Sequence, residues 1–322
     1  MTEAAVSATT ATGGGADLSI LIAGAGATGG AFGTYLHEAG RNVTFLLRQT
    51  RAEAVRSEGL RFTAPDDDRT NQVEVVTAEE LSAAPQTYDL VLVAVKAGGL
   101  DSVIEDIGPA VGKQTTIVPF LNGMAQIEKL QNRYPGQVLG GLVKIVGTIR
   151  DGAVVQLTDL AVMTIGGIDG AEASARIIEA LDVPGFRLQV IDGIIDGLWE
   201  KWIFIAAAGV VTCLFRAPVG AIMGAGGRPH VHAIVDELEA VAAAAGHSVS
   251  EQSHAMTLKM LTEDGSAFTS SLYRDVTAGL PSETEHILGD LARTAGELGV
   301  ATPLLDLTLV QLRAGAAQQK RP

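Results

Sequence analysis

From residue 18 to about residue 190, short aliphatic runs alternate with stretches of helical spacing, which predicts a parallel sheet covered by helices. Residues 18–23 read as the first strand, 27–39 as a helix stopped by Gly40, and 42–47 as the second strand. Further strands are predicted over 90–95, 116–120 and 138–142. The runs 153–157 and 161–165, on either side of Thr158-Asp159, predict a hairpin that adds antiparallel strands. From residue 191 the pattern changes to one long apolar helix reaching about residue 214, then helices over 228–245, 251–262, 283–298 and 303–314. No strand pattern of comparable strength follows, and no internal repeat is visible. The expected organisation is a tail over 1–16, an α/β domain over 17–190 with a parallel sheet, and an all-helical domain over 191–322, with the working site in the cleft between them.

Composition supports a globular chain: 322 residues are enough for two cores, and 47% of them are hydrophobic while only 4% are aromatic. The net charge of −14 excludes ordinary nucleic-acid binding, because the 23 basic residues form no run longer than the terminal Lys320-Arg321 pair. The single cysteine, Cys213, has no partner for an intrachain disulfide, which fits a reducing, cytoplasmic setting. His230 and His232 lack a third ligand nearby and read as part of a helix start, so no metal is expected. The Ala/Thr/Gly-rich first sixteen residues lack the basic start and apolar core of a signal peptide and read as a flexible tail. The apolar stretch 202–215 looks too short to span a bilayer and reads as a buried helix, so no membrane partner is expected.

The first chemistry-bearing feature is Gly24-Ala25-Gly26-Ala27-Thr28-Gly29, set between the first strand and the first helix. In a Rossmann-type dinucleotide site the first glycine makes the tight turn, the second lets backbone approach the pyrophosphate, and the third allows close helix-strand packing. Gly24, Gly26, Ala27, Thr28 and Gly29 are therefore expected to hold a dinucleotide. The second strand ends in Leu47-Arg48-Gln49-Thr50-Arg51, where an acidic residue would hold the ribose hydroxyls of NAD. Arg48 attracts a 2′-phosphate that a carboxylate would repel, so NADP(H) is the expected cofactor, with Arg51 as a second contact.

Further along stand Val95-Lys96 at a strand end, Leu121-Asn122-Gly123-Met124 after the next strand, and Trp199-Glu200-Lys201-Trp202 at the start of the helical half. Ala217-Pro218-Val219-Gly220, Ser270-Ser271 and Ser282-Glu283 follow in order. Over residues 18–313 or so, this series resembles the ketopantoate reductase (2-dehydropantoate 2-reductase) family. The resemblance implies an NADP-binding Rossmann domain, a helical second domain, and reduction of a 2-oxo acid by hydride transfer from NADPH. It implies that Lys201 donates the proton to the carbonyl oxygen and that Glu283 is the acid beside it. By the same resemblance Asn122 serves the nicotinamide and catalytic centre, Lys96 lies near cofactor and substrate, and Ser271 contacts substrate. Read without it, Lys201 also suits a solvent-facing or interface lysine, Glu283 a first-turn carboxylate on a helix dipole, and Asn122 an ordinary turn residue.

The sequence departs from the family pattern where asparagines are expected, at Ile205, Gly209, Val219 and Phe268, and where a glutamine is expected, at Gly99. Loss of these amides should relax selectivity for a hydroxylated oxo acid and favour a more apolar ketone or imine. A non-catalytic NADP(H) sensor is the competing reading from another class, and retention of both Lys201 and Glu283 argues against it. The apolar C-terminal helices offer a surface for a homodimer.

Overall fold

A computed structural model describes residues 14–319. The aliphatic runs become the parallel strands β1 (Ser19–Ala23), β2 (Asn42–Leu46), β5 (Glu74–Val76), β6 (Tyr88–Val93) and β7 (Val111–Pro119), ordered β5-β2-β1-β6-β7. The chain leaves β1 on one side and returns on the other, so the switch of direction lies between β1 and β6. Ligands of such sheets bind outside the carboxyl ends of the strands at that point.

A second sheet contains β3 (Leu60–Ala64), β4 (Asp67–Asn71), β8 (Gly140–Arg150), β9 (Ala153–Gly166) and β10 (Arg187–Val190). Helix α1 (Ala27–Glu38) is pressed between the two sheets, which explains its glycines. A Cβ on Gly30 would collide with Val154 of the second sheet, and one on Gly33 with Phe45 and Ile22 of the first. The remaining helices of this half are α2 (Gln49–Glu58), α3 (Ala78–Ala83), α4 (Leu100–Asp106), α5 (Ala125–Arg133) and α6 (Ala175–Leu181).

The hairpin expected around Thr158-Asp159 is not formed. Both runs belong to β9, a single 14-residue strand paired antiparallel with β8 from Arg150↔Ala153 to Gly140↔Gly166. The turn falls at Asp151-Gly152, whose φ values are +49° and +77°. Aspartate and glycine accept the left-handed positions that a tight hairpin needs, whereas β-branched Thr158 does not. The β3–β4 hairpin escaped the hydrophobic pattern because it is a polar edge, laced by Arg61–Asp68 and Arg69–Glu38 ion pairs.

In the helical region, α7 (Ile194–Phe215) lies at the centre, surrounded by α8 (Val219–Gly224), α9 (Arg228–Ala244), α10 (Glu251–Leu261), α11 (Ser271–Thr277), α12 (Asp290–Leu298) and α13 (Pro303–Gln319). The expectation of a stretch too short to cross a bilayer is corrected: α7 has 22 residues, long and apolar enough by length and composition, and 67% of its apolar window is buried inside the protein. The helix begins well before Trp202, at Ile194 after Gly193 in the left-handed region. Two short helices, α8 and α11, were not expected, and the helix expected from Glu283 begins as a π-helical segment, Glu285–Gly289.

Of the expected tail, residues 1–13 lie outside the described residues. Gly15 and Ala16 do not belong to a tail, because Gly15–Asp17 forms a 3₁₀ turn whose Gly15 amide donates to Glu179 Oε2 at 2.8 Å. His230 and His232 lie in the opening turns of α9, and no His/Cys/Asp/Glu group arranged to hold a metal occurs among the described residues.

The loop glycines differ in what a methyl group would meet. On Gly29 it would strike the Gly24 carbonyl, whereas on Gly26 it meets nothing within 4 Å. Gly29→Ala should therefore cost about 1–3 kcal/mol and several degrees of Tm, while Gly26→Ala leaves Tm within a degree or two of the wild type; thermal melts of both variants check this.

Candidate active site

At the end of β1 the chain turns through Gly24 at φ +102°, and its amide donates to the Leu46 carbonyl at 3.1 Å. A side chain there would press on the Ala94 carbonyl at 3.0 Å. Gly24 and Gly29 are thus required by the protein's own packing, whereas Gly26 leaves open space in front of α1. No side chain caps α1, so the first-turn amides of Ala27 and Thr28 and the positive end of the helix dipole face that space. This cradle fits the pyrophosphate of a dinucleotide. It opens into a cleft of about 590 Å³ walled by Leu47 and Arg48 after β2, Ala94 and Val95 after β6, Ser102 of α4 and Ile149 of the long hairpin.

Arg48 is exposed at the N-cap of α2, reaches across the cleft mouth toward Gly99, and forms no ion pair among the described residues. Arg51 is differently employed: its Nη2 donates to the Gly152 carbonyl at 2.8 Å and ties the tip of the β8–β9 hairpin to α2. It also lines the same cleft, beside Arg48.

A second set of residues gathers at the ends of β6 and β7. Glu283, half-buried, accepts from the Ala97 amide at 3.1 Å and from Asn122 Nδ2 at 3.4 Å, joining two strand ends that are far apart in sequence. Lys96 stands beside Ala97 but points outward, 74% exposed, with its Nζ 3.6 Å from Asp275 Oδ2. Asn122 lies in a turn built around Gly123 at φ +86°. Gln126 Nε2 donates to the carbonyls of Gly123 at 2.6 Å and Leu121 at 3.3 Å, while His286 Nε2 donates to the carbonyl of Asn122.

Lys201 sits two turns into α7, not at the helix start, next to Trp202, whose indole N–H donates to the Ile287 carbonyl at 2.9 Å. Loss of water around the ammonium pulls its pKa down to about 8; Glu283 pushes it back up and Lys144 pushes it further down. No carboxylate lies within 4 Å of it among the described residues, so Glu283 acts on Lys201 through its field and not through contact. Lys96, Asn122 and Glu283 are brought together, and Lys201 is within electrostatic reach of Glu283.

The serine pair divides. Ser270 caps α11 by accepting from the Tyr273 amide at 3.0 Å and shares a 2.7 Å hydrogen bond with Thr212, so it is structural. Ser271, the one expected at substrate, is exposed on the first turn of α11 and forms no side-chain hydrogen bond among the described residues.

A larger cavity of about 920 Å³ begins at Lys96, Ala97 and Glu283 and runs between α11 and α13, past Val276, Leu280 and Leu312 to Arg216. The positions where amides were expected do not line it. Val219 is fully buried in the helical core, Ile205 packs on that core, and the space over Gly209 is taken by Leu272. Gly99 lines the cofactor cleft instead. Arg216 and the α11 and α13 residues of the cavity wall carried no sequence signal, since only helix packing brings them to one space.

A family model described as Ketopantoate reductase PanE/ApbA matches residues 20–170, and a second, Ketopantoate reductase PanE/ApbA C terminal, matches residues 194–316. The uncharacterized oxidoreductase YkpB of Bacillus subtilis (strain 168) is 32% identical over 308 residues, covering 94% of this chain and 100% of the relative. A solved 2-dehydropantoate 2-reductase from Methylococcus capsulatus is similar at a TM-score of 0.81 and 25% identity, over 95% of this chain and 99% of its own. D-mandelate dehydrogenase, solved with NADH and anilino(oxo)acetate, has the same fold at a TM-score of 0.82 and 21% identity, over 94% of this chain and 100% of its own. The parallel sheet with its glycine cradle, the helical region that carries Lys201 and Glu283, and family models matching both halves lead to one assignment: the chain belongs to the ketopantoate reductase PanE/ApbA family of oxidoreductases.

Proposed function

We propose that this chain reduces a 2-oxo acid to the 2-hydroxy acid at the expense of NADPH, in the manner of 2-dehydropantoate 2-reductase, with Lys201 as the proton donor. The observation that carries the reading is the partly deprotonable lysine at Lys201, held in the field of Glu283, whose carboxylate is anchored to the strand ends beside the cofactor cleft. The bound nicotinamide supplies the hydride to the carbonyl carbon. Gly24, Gly26, Ala27, Thr28 and Gly29 hold the pyrophosphate, and Arg48 pairs with the 2′-phosphate. Lys96 and Asn122 orient cofactor and substrate, and Ser271 meets the substrate from α11. As negative charge builds on the carbonyl oxygen, the Lys201 ammonium stabilises it and gives up a proton from Nζ, leaving a neutral amine. A pKa near 8 makes this ammonium a stronger acid than an ordinary lysine, and Glu283 keeps it charged at neutral pH.

A bulkier, more apolar ketone or imine is the second reading, favoured by the 920 Å³ cavity whose wall includes Val276, Leu280 and Leu312. A screen of NADPH consumption over 2-oxo acids, ketones and imines, ketopantoate included, decides between the two. Turnover of ketopantoate is the requirement for a role in pantothenate synthesis. We assign the activity to the cytoplasm, where NADPH is at hand and a free thiol such as buried Cys213 persists. Leu307 and Val310, 55% and 63% exposed on α13, supply the apolar face for a homodimer, which light scattering checks.

Reduction requires the charged lysine, so kcat/KM should be level below about pH 8 and fall tenfold per pH unit above it, while oxidation of the hydroxy acid rises over the same range. Lys201→Ala should lower kcat by roughly 10²- to 10⁴-fold. Glu283→Gln removes the charge that raises the Lys201 pKa and should move the alkaline limb to lower pH.

Stability should show the same burial with the opposite sign. The folded pKa lies below the unfolded one, so the charged lysine costs stability below about pH 8, and the cost fades as pH rises from there toward the ordinary lysine value. Lys201→Met should raise Tm at pH 7, with the gain shrinking by pH 10. Arg48→Ala should raise the Kd for NADPH about 10- to 100-fold, the equivalent of one lost charge-assisted contact, with little effect on NADH; fluorescence titration of both cofactors measures it.

A further inference from the structure

The segment from Glu283 to Asp290 makes more cross-links than any helix turn of its length requires. Glu283 reaches the Ala97 amide and the Asn122 side chain, His286 reaches the Asn122 carbonyl, and the Ile287 carbonyl receives the Trp202 indole. The π-helical winding over Glu285–Gly289 displaces backbone groups from the usual pairing, and Trp202 meets one of them.

His286 makes contacts that the proposed chemistry does not use, and they fall on the turn that carries Asn122. Its side chain is 13% exposed, Nδ1 lies 3.4 Å from Asp290 Oδ2, and Nε2 points at the Asn122 carbonyl. A carbonyl only accepts, so Nε2 carries the proton. The ring also packs on Gly123, where a Cβ would stand 3.3 Å from Nε2, so the left-handed turn and the imidazole occupy each other's space. Within the turn, Gln126 holds the carbonyls on either side of Asn122 from β7's own half of the molecule. Among the described residues, only His286 holds the middle one, and it does so from the helical half.

We infer that His286 is a positioning residue: it fixes the Asn122 carbonyl and thereby turns the Asn122 amide toward Glu283 at the proposed active site. The importance for turnover rests on the function proposed above; the coupling between His286 and the 121–124 turn does not. Displacement of a positioned group by an ångström is worth about 10- to 100-fold in rate.

The test uses His286→Leu, which removes the donor, and His286→Gln, which restores an N–H donor. Hydrogen exchange of the 121–127 segment in the protein without cofactor should quicken about tenfold or more in the leucine variant and stay near wild type in the glutamine variant. Both variants should bind NADPH and turn over the substrate found by screening, with kcat down about 10- to 100-fold for leucine and within about threefold for glutamine. In an Asn122→Ala background, His286→Leu should cost nothing further, since the two act as a unit. Unchanged exchange in the leucine variant, equal losses in both variants, or full additivity with Asn122→Ala would overturn the inference. If the wild type reduces none of the screened compounds, the functional proposal fails by itself, and the exchange result still decides the role of His286.

Discussion

One carboxylate organises this site. Glu283 accepts from a backbone amide after β6 and from a side chain after β7, and it does so from the helical region. Without that bridge the two strand ends and α7 have no shared polar partner near the cofactor cleft among the contacts described. The bridge also sets the charge environment of Lys201, because the half-buried Glu283 carboxylate opposes the ammonium's loss of water.

The packing around that bridge is almost wholly apolar, and this gives the polar contacts their weight. Trp199, Trp202, Ile203 and Ala206–Ala208 bury one side of α7 in the helical core, so Lys201 emerges from a face with little water to solvate it. Hydrogen bonds and charges in such surroundings act more strongly than at a surface, and a charged lysine kept there costs the fold stability. Cys213 lies on the same helix, and burial pushes its thiol up to about 12, so it behaves as a small apolar side chain and not as a nucleophile.

The cofactor cleft is built on the opposite principle, an absence of side chain. Gly24 and Gly29 let β1 and α1 approach closely, and Gly26 leaves the volume into which a pyrophosphate fits. Arg51 bonds the hairpin tip, and both Arg48 and Arg51 line this cleft, Arg48 without an ion pair among the described residues.

Features governed by local rules were legible in the sequence: the strand–glycine loop–helix unit, the parallel strands β1, β2, β6 and β7, and the long core helix, because periodicity and glycine sterics act over a few residues. The hairpin was misplaced where two turn candidates competed, and the left-handed tolerance of Asp151-Gly152 outweighed the polar look of Thr158-Asp159. Lys201, Asn122 and Glu283 were named from their resemblance to a family pattern, but nothing local joins Asn122 to Glu283 across 161 positions. His286 and Trp202 gave no signal as partners of that centre, and Ile205, Gly209 and Val219 turned out to serve the core and not a cavity wall. The sequence by itself determined a glycine loop opening in front of a helix and a basic residue at the mouth of the cleft, since both depend on steric and charge properties of single residues. Which distant side chains share one desolvated space, and so where Glu283 meets Asn122 and how far Lys201 is drawn from water, was decided only when the helical region packed on the strand ends.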